Sequence, residues 1–189
     1  MYRRRRVPML GRIVALALLT ATLATQAAAQ LPLDRIRLPA GFAIELVARA
    51  PGARELAFGA NGTLFAGSVE GSVYAITLDG ARANVRTIAS GLRNPIGVAF
   101  HEGALYVSAV SRILRFDDIE RHLDRPPRPV VVSDAFPTDA HHGGKFIASG
   151  PDGKLYVPVG APCNVCLPDD RHGVIQRMSV DGGDRKSVV

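Results

Sequence analysis

The sequence predicts an all-β protein, a β-propeller of which about three blades are present. One strand-turn-strand block occurs three times, each time with a turn that ends in glycine. The second strand of each block opens on leucine followed by an aromatic residue. Only residues 117–123 have the spacing of one or two helical turns. Regular strands alone would also permit a β-sandwich, but a repeated block favours the propeller.

The three blocks span residues 56–66, 98–108 and 147–158. Their leucine anchors, Leu64, Leu105 and Leu155, are 41 and 50 residues apart, as is typical of propeller blades. Asn61-Gly62 and Asp152-Gly153 predict type I′ hairpin turns, in which both central residues have positive φ. A further strand is predicted after each block, at residues 72–77, 112–116 and 174–180. The proline-rich stretch 125–129 is interpreted as a connection between blades, because proline does not fit inside a central strand.

The N-terminus has the pattern of a secretory signal peptide over residues 1–29. Arginines at positions 3–6 and 12 precede an apolar run at 13–24, and the Ala27-Ala28-Ala29 sequence is a cleavage pattern. The run is too short for a stable membrane span. We therefore expect a periplasmic or secreted protein whose mature N-terminus, readable by N-terminal sequencing, is Gln30.

The same arginines account for most of the charge. The chain carries +6, and five of these charges lie in the predicted signal peptide. The remainder is near neutral and has no basic stripe with interleaved aromatic residues. Nucleic acid is therefore not an expected partner, despite the sequence pI of 9.9.

Cys163 and Cys166 are the two cysteines of the chain. In a cytosolic protein the C-x-x-C spacing would indicate a redox pair or half of a zinc site, but a second cysteine pair is absent. The flanking residues are typical of a loop after a strand, and an exported protein can form disulfides. The favoured interpretation is a structural disulfide.

The candidate site is the segment that begins at Asp139. His141 and His142 stand directly before Gly143 and Gly144, and histidine is the usual general base near neutral pH. Glycines there would let the backbone approach a flat ligand closely. The same four residues could also form an ordinary polar loop.

Four segments, at residues 38–44, 91–101, 141–146 and 150–164, resemble the sorbosone dehydrogenase family. That family is grouped with the soluble glucose dehydrogenases that depend on pyrroloquinoline quinone (PQQ) and form six-bladed propellers. The resemblance covers residues 38–183. It implies oxidation of an aldose or aldehyde-type sugar, with electrons passed to an external acceptor such as a cytochrome or a quinone.

The resemblance also implies roles for individual residues. The family's histidine removes a proton from the sugar hydroxyl, and the Gly-Gly-basic register places His141 there, whereas counting back from Gly150 places His142 there. Asp139 is expected to orient the imidazole. The remaining residues expected along the substrate and cofactor channel are Arg93, Asn94, Gly143, Gly144 and Lys145. No metal ligand is expected in this chain, since the calcium sites and most PQQ-binding residues of the family come from later blades.

Three blades do not close a ring, so residues 30–183 are interpreted as the N-terminal part of a longer propeller that is inactive alone. Residues 184–189 match one reading frame of a widely used sequencing adapter and are predicted to be read-through.

Two other functions stay open. One is a calcium-dependent lactonase-type propeller, for which Asp169-Asp170 would be the available acidic cluster, and the other is a non-enzymatic periplasmic binding propeller.

Overall fold

A computed structural model of the chain describes residues 31–189, so the predicted signal peptide at 1–29 lies outside the described residues. The chain divides into two units, Met1–Ile44 and Glu45–Val189. The described part of the first unit contains a short 3₁₀ helix at Leu33–Arg35. Within residues 31–189, no helix has the length and apolar character needed to cross a bilayer.

The second unit contains three four-stranded antiparallel sheets, each formed by four consecutive strands in sequence order. We call these sheets blades 1, 2 and 3. Blade 1 consists of β1 (Ala53–Phe58), β2 (Leu64–Ser68), β3 (Val73–Asp79) and β4 (Arg82–Ala89). Blade 2 consists of β5 (Val98–His101), β6 (Ala104–Ser108), β7 (Ile113–Phe116) and β8 (Val130–Ser133). Blade 3 consists of β9 (Ala148–Ser149), β10 (Leu155–Val159), β11 (Val174–Met178) and β12 (Lys186–Ser187).

The predicted all-β fold and its three blades are therefore confirmed, as are the predicted third strands, which are β3, β7 and β11. The fourth strand of each blade is missing from the sequence prediction. These outer strands have mostly exposed or half-buried side chains and so lack a strong apolar pattern. Lys186–Ser187 pairs with Gln176 and Arg177, and the adapter origin of residues 184–189 stays a prediction.

The predicted type I′ turns are wrong in their position. At Asn61-Gly62 and Asp152-Gly153 only the glycine has positive φ, 81° and 69°. In blade 1 the Gly59 N–H donates to the Thr63 carbonyl at 2.8 Å, which leaves a connection longer than two residues. The turn with two positive φ values lies in blade 2, at Glu102 and Gly103, where His101 pairs directly with Ala104.

Residues 125–129 do not connect two blades. They lie inside blade 2, in the long connection between β7 and β8, which also contains a 3₁₀ helix at Ile119–Arg121. This helix confirms the short helical turn expected within residues 117–123. The connection can be long because β8 is an outer strand at the surface of the blade.

The core consists of layers between adjacent blades, and β6 shows how the sequence produces them. Leu105 and Val107 pack with Phe65 of blade 1, whereas Tyr106 packs with Leu155 of blade 3. Successive side chains of a strand point to opposite faces, so one apolar strand contributes to two layers. Blade 2 is therefore buried on both faces.

The first strands of the three blades lie side by side and are joined by one carboxylate. Glu55 Oε2, on β1, accepts hydrogen bonds from the Val98 N–H at 2.8 Å and the Ile147 N–H at 3.1 Å. Val98 begins β5, and Ile147 immediately precedes β9. Because the strands alternate in direction, the connections β2–β3, β4–β5, β6–β7, β8–β9 and β10–β11 share one end of the blades. We call it the upper end.

Candidate functional site

The upper end gathers all the residues that the sequence singled out. Arg93 and Asn94 lie in the β4–β5 connection, residues 139–145 in the β8–β9 connection, and Cys163 and Cys166 in the β10–β11 connection. We call residues 139–145 the histidine loop and residues 160–173 the cysteine loop. The blade topology therefore brings together segments that are distant in the chain.

Lys145 fastens the histidine loop to the blades from below. Its side chain is only 2% exposed, and its Nζ donates to the carbonyl of Val110 at 2.5 Å and to that of Gly143 at 3.0 Å. Burial lowers the pKa of Lys145 to about 8, opposed by the nearby charge of Asp139. The Lys145 carbonyl accepts a hydrogen bond from the buried Ser108 hydroxyl at 2.7 Å, which ties the loop to the end of β6.

The two glycines of the loop are explained by packing inside the protein. A Cβ on Gly143 would overlap the Asp139 carbonyl, because the chain turns tightly there. A Cβ on Gly144 would lie 2.5 Å from Ile96 Cδ1 and 3.0 Å from Asn94 Nδ2. Gly143 and Lys145 are buried, so a role for them as channel surface stays a prediction.

His141 and His142 are both exposed, with ring centroids 4.0 Å apart, but they have different partners. His142 Nδ1 lies 3.0 Å from the Ala161 carbonyl oxygen, which can only accept, so this nitrogen carries the proton. His142 has a φ of 50° and packs closely on Gly160 at the end of β10. His141 Nε2 lies 3.3 Å from Asn164 Oδ1 in the cysteine loop.

Asp139 is bonded to a histidine that the sequence analysis did not select. Its Oδ2 lies 3.3 Å from Nε2 of the buried His172, whose Nδ1 lies 2.7 Å from Asp169 Oδ1. Within residues 31–189, Asp139 has no hydrogen bond to His141 or His142. The predicted role of Asp139 in orienting the base therefore has no direct contact to support it.

Asp169 forms a cluster with His172 and Asp139. The Arg171 guanidinium donates to Asp169 Oδ2 at 2.6 Å. This hydrogen bond, followed by that of His172, lowers the pKa of the Asp169 carboxyl to about 2. The His172–Asp139 contact links the cysteine loop to the histidine loop. The spacing Asp169-x-x-His172 was a sequence signal for the Asp169–His172 contact and not for the contact with Asp139.

The structure pairs Cys163 and Cys166 as a disulfide. The covalent ring encloses Asn164 and Val165, and therefore includes the residue that contacts His141. Val165 is 96% exposed. Asn164 was missed because an asparagine inside a loop carries no pattern of its own.

Arg93 and Asn94 lie in the β4–β5 connection, on the side of the histidine loop that faces away from the cysteine loop. The Arg93 carbonyl accepts from the Val110 N–H at 3.0 Å, and its side chain is exposed. Asn94 has a φ of 50°, and its side-chain amide borders Gly144. Both residues are close to the histidine loop, and their contact with a substrate stays a prediction.

The cavity beside the histidines has a volume of about 10 Å³ and is lined by Pro137, Asp139, Lys145, Val159, His172 and the histidine pair with its neighbours. This is room for about one water molecule, and a tricyclic quinone does not fit. Within the described part of the chain, no group of three or more His, Cys, Asp or Glu side chains could hold a metal ion. The described residues around the histidine pair therefore do not enclose a cavity of cofactor size.

No model of a known protein family matches this chain. Among curated proteins, it is similar to an uncharacterised protein of Borreliella burgdorferi, with 25% identity over 152 residues. That alignment covers 74% of this chain and 39% of the relative.

Solved structures give closer information on the fold. The PQQ-bound aldose sugar dehydrogenase of Streptomyces coelicolor has 24% identity and a TM-score of 0.60, covering 74% of this chain and 48% of that one. An oxidoreductase of Thermus thermophilus described as a glucose dehydrogenase has 25% identity and a TM-score of 0.58, covering 74% and 47%. The PQQ domain of Coprinopsis cinerea pyranose dehydrogenase has 12% identity and a TM-score of 0.58, covering 69% and 34%.

The fold is that of a β-propeller. The chain spans less than half the length of each of these solved structures. Its three blades thus align with part of each of these structures.

Proposed function

We propose that this chain is the N-terminal part of an exported, PQQ-dependent sugar dehydrogenase of the sorbosone and aldose type. The observation that carries the proposal is the exposed histidine pair at the upper end of a propeller whose relatives include a glucose dehydrogenase-type oxidoreductase at 25% identity. The four segments that resemble sorbosone dehydrogenases support the narrower assignment. Either an aldose or an aldehyde-type sugar is the substrate, and an external carrier takes the electrons.

His141 is the base in this proposal. Its exposed ring lies beside the His142 ring and is hydrogen-bonded to the Asn164 side chain, whereas His142 packs against Gly160 and is bonded to the main-chain carbonyl of Ala161, just after β10. His142 therefore belongs to the packing between the histidine loop and blade 3. His141 Nδ1 is left to accept the proton of a sugar hydroxyl.

PQQ, when bound, supplies a two-electron oxidant that the side chains of this chain lack. We assign its binding, and that of calcium, mainly to residues outside the described part of the chain. The residues of this chain contribute the base, and Lys145 fixes the position of the loop that carries it.

The test uses the complete protein encoded by the source reading frame, supplied with PQQ and calcium. Dye reduction should depend on an aldose or aldehyde sugar. His141→Ala should lower kcat by about 10²- to 10⁴-fold, as removal of a general base does. His142→Ala is the matched control and should have a smaller effect.

Two outcomes would contradict this proposal at different levels. If no sugar supports PQQ-dependent dye reduction by the wild-type protein, the dehydrogenase function is wrong. If His142→Ala abolishes turnover while His141→Ala does not, the function holds but the base is His142.

A further inference from the structure

We propose that Asn164, held inside the Cys163–Cys166 disulfide ring, is the positioning residue that orients His141 and fixes which ring nitrogen carries its proton. The catalytic consequence rests on the proposed function. The contact itself does not, because it can be observed in the protein without turnover.

The contact joins two loops. His141 Nε2 and Asn164 Oδ1 are 3.3 Å apart, although the residues are 23 positions apart in the chain and lie on either side of β9 and β10. An amide oxygen only accepts, so neutral His141 donates its Nε2–H to Asn164. The lone pair then stays on Nδ1, which makes Nδ1 the atom able to take a proton.

Other groups that could orient this ring are already engaged elsewhere. The Asp139 carboxylate is bonded to His172, and the Ala161 carbonyl is bonded to His142. Within residues 31–189, Asn164 is the hydrogen-bonding partner of the His141 ring. Loss of its amide would remove this hydrogen bond and leave the His141 ring with its contact to the His142 ring, which does not select a tautomer.

The disulfide explains how an exposed asparagine can hold a fixed position. Val165 and Leu167 on this loop are fully exposed, at 96% and 101%, so apolar packing by these neighbours does not hold it. The Cys163–Cys166 bond instead closes a small ring of main chain around Asn164. A ring of this size restricts the backbone of the residues inside it. The arrangement of residues thus couples the disulfide to the orientation of His141.

The first experiment measures the tautomer by ¹⁵N–¹H correlation NMR of the histidine rings, with His141→Gln used to assign the signals. The wild-type protein should show His141 protonated at Nε2 near pH 8. Asn164→Ala should give a mixture of the two tautomers. Val165→Ala removes a neighbouring side chain from the same ring and should leave the signal unchanged. An unaltered Nε2–H tautomer in Asn164→Ala would overturn the proposal.

The disulfide is tested by the same signal in the Cys163→Ala/Cys166→Ala double variant. Its His141 tautomer ratio should resemble that of Asn164→Ala. A wild-type ratio in the double variant would overturn the role of the ring. Mild reduction of the folded wild-type protein gives a second reading of this effect if the double variant does not fold.

Kinetics of the complete protein provide an independent reading. Asn164→Ala should lower kcat by about 10- to 100-fold with KM little changed, because misorientation of a base affects the chemical step. Asn164→Asp keeps the acceptor and adds a charge that favours the imidazolium. It should restore most of kcat while moving the acidic limb of the pH profile upward by about one pH unit. A merely structural role for Asn164 would not move that limb, and such a result would overturn the proposal.

The two hypotheses fail in different ways. If the complete protein shows no sugar oxidation, the dehydrogenase proposal falls and the NMR result still decides the role of Asn164. If sugar oxidation is present and neither the tautomer nor the pH profile responds to Asn164, the positioning role falls and the dehydrogenase proposal stands.

Discussion

Lys145 shows at the scale of one residue how a buried charge organises the upper end. Its ammonium is held by two main-chain carbonyls that belong to different connections, and burial lowers its pKa from 10.5 to about 8. Two hydrogen bonds offset part of the cost of removing this charge from water. The position of the histidine loop therefore depends on a group that is expensive to bury.

The lowered pKa of Lys145 predicts a pH dependence of stability. Between about pH 8 and 10.5 the unfolded chain keeps the Lys145 proton while the folded protein has released it, so the free energy of unfolding should rise with pH. The rise should reach at most about 3.5 kcal/mol, at about 1.4 kcal/mol for each tenfold fall in proton concentration between pH 8 and 10.5. Denaturant unfolding of the wild type and of Lys145→Met, compared at each pH, isolates this group from the tyrosines. A difference that stays constant from pH 8 to 10 would contradict the prediction.

At the scale of secondary-structure elements, the buried carboxylate of Glu55 joins strands of different blades. One carboxylate oxygen on β1 accepts an N–H from the start of β5 and another from the residue before β9. Both main-chain N–H groups lie where neighbouring blades meet. Burial raises the pKa of the Glu55 carboxyl, which the two hydrogen bonds oppose.

We predict a contrast between two Glu55 variants. Glu55→Ala leaves the Val98 and Ile147 N–H groups without an acceptor, which should cost about 2–4 kcal/mol of unfolding free energy. Glu55→Gln keeps an acceptor oxygen and removes the buried charge, so its stability at pH 7 should stay close to that of the wild type. Equilibrium denaturation of both variants measures the contrast. Equal loss in the two would mean that the charge, and not the acceptor, joins the strands.

At the scale of the whole molecule, the outer face of blade 1 is apolar and, within residues 31–189, only partly covered. Leu56 is 57% exposed and Phe58 71% exposed, and a groove of about 330 Å³ lined by Leu64, Ala66 and Ile76 lies on the same blade. Blade 2, by contrast, is covered on both faces. A face of this kind favours association with other apolar surfaces.

We therefore expect residues 31–189, produced alone, to self-associate. The substitutions Leu56→Lys and Phe58→Lys together should raise the monomer fraction, measured by sedimentation velocity. The control is Val165→Lys with Leu167→Lys, which charges two equally apolar but isolated loop residues and should change little. A wild-type chain that is monomeric and melts cooperatively would contradict this expectation.

The sequence by itself determined the number of blades and the three inner strands of each blade. The repeated blocks, the glycine turns and the alternation of Leu105, Tyr106 and Val107 between two faces are local patterns, with a period of two residues that needs no knowledge of distant segments. The sequence did not predict the outer strands β4, β8 and β12, because half-exposed residues produce only a weak apolar pattern. The exact turn geometry at Asn61-Gly62 also escaped it, because loop length and pairing register select the turn type.

Only the tertiary structure decided how the site residues are connected. The sequence placed Asp139 beside His141 because the two are neighbours in the chain, but the folded loop turns Asp139 toward His172, 33 residues away. In the folded protein His141 is hydrogen-bonded to Asn164, and Lys145 is buried beneath the loop. These partners depend on where the ends of β8 and β10 bring two irregular connections together. Side-chain contacts between loops follow from the packing of whole blades, whereas strand formation follows from the residues of each strand.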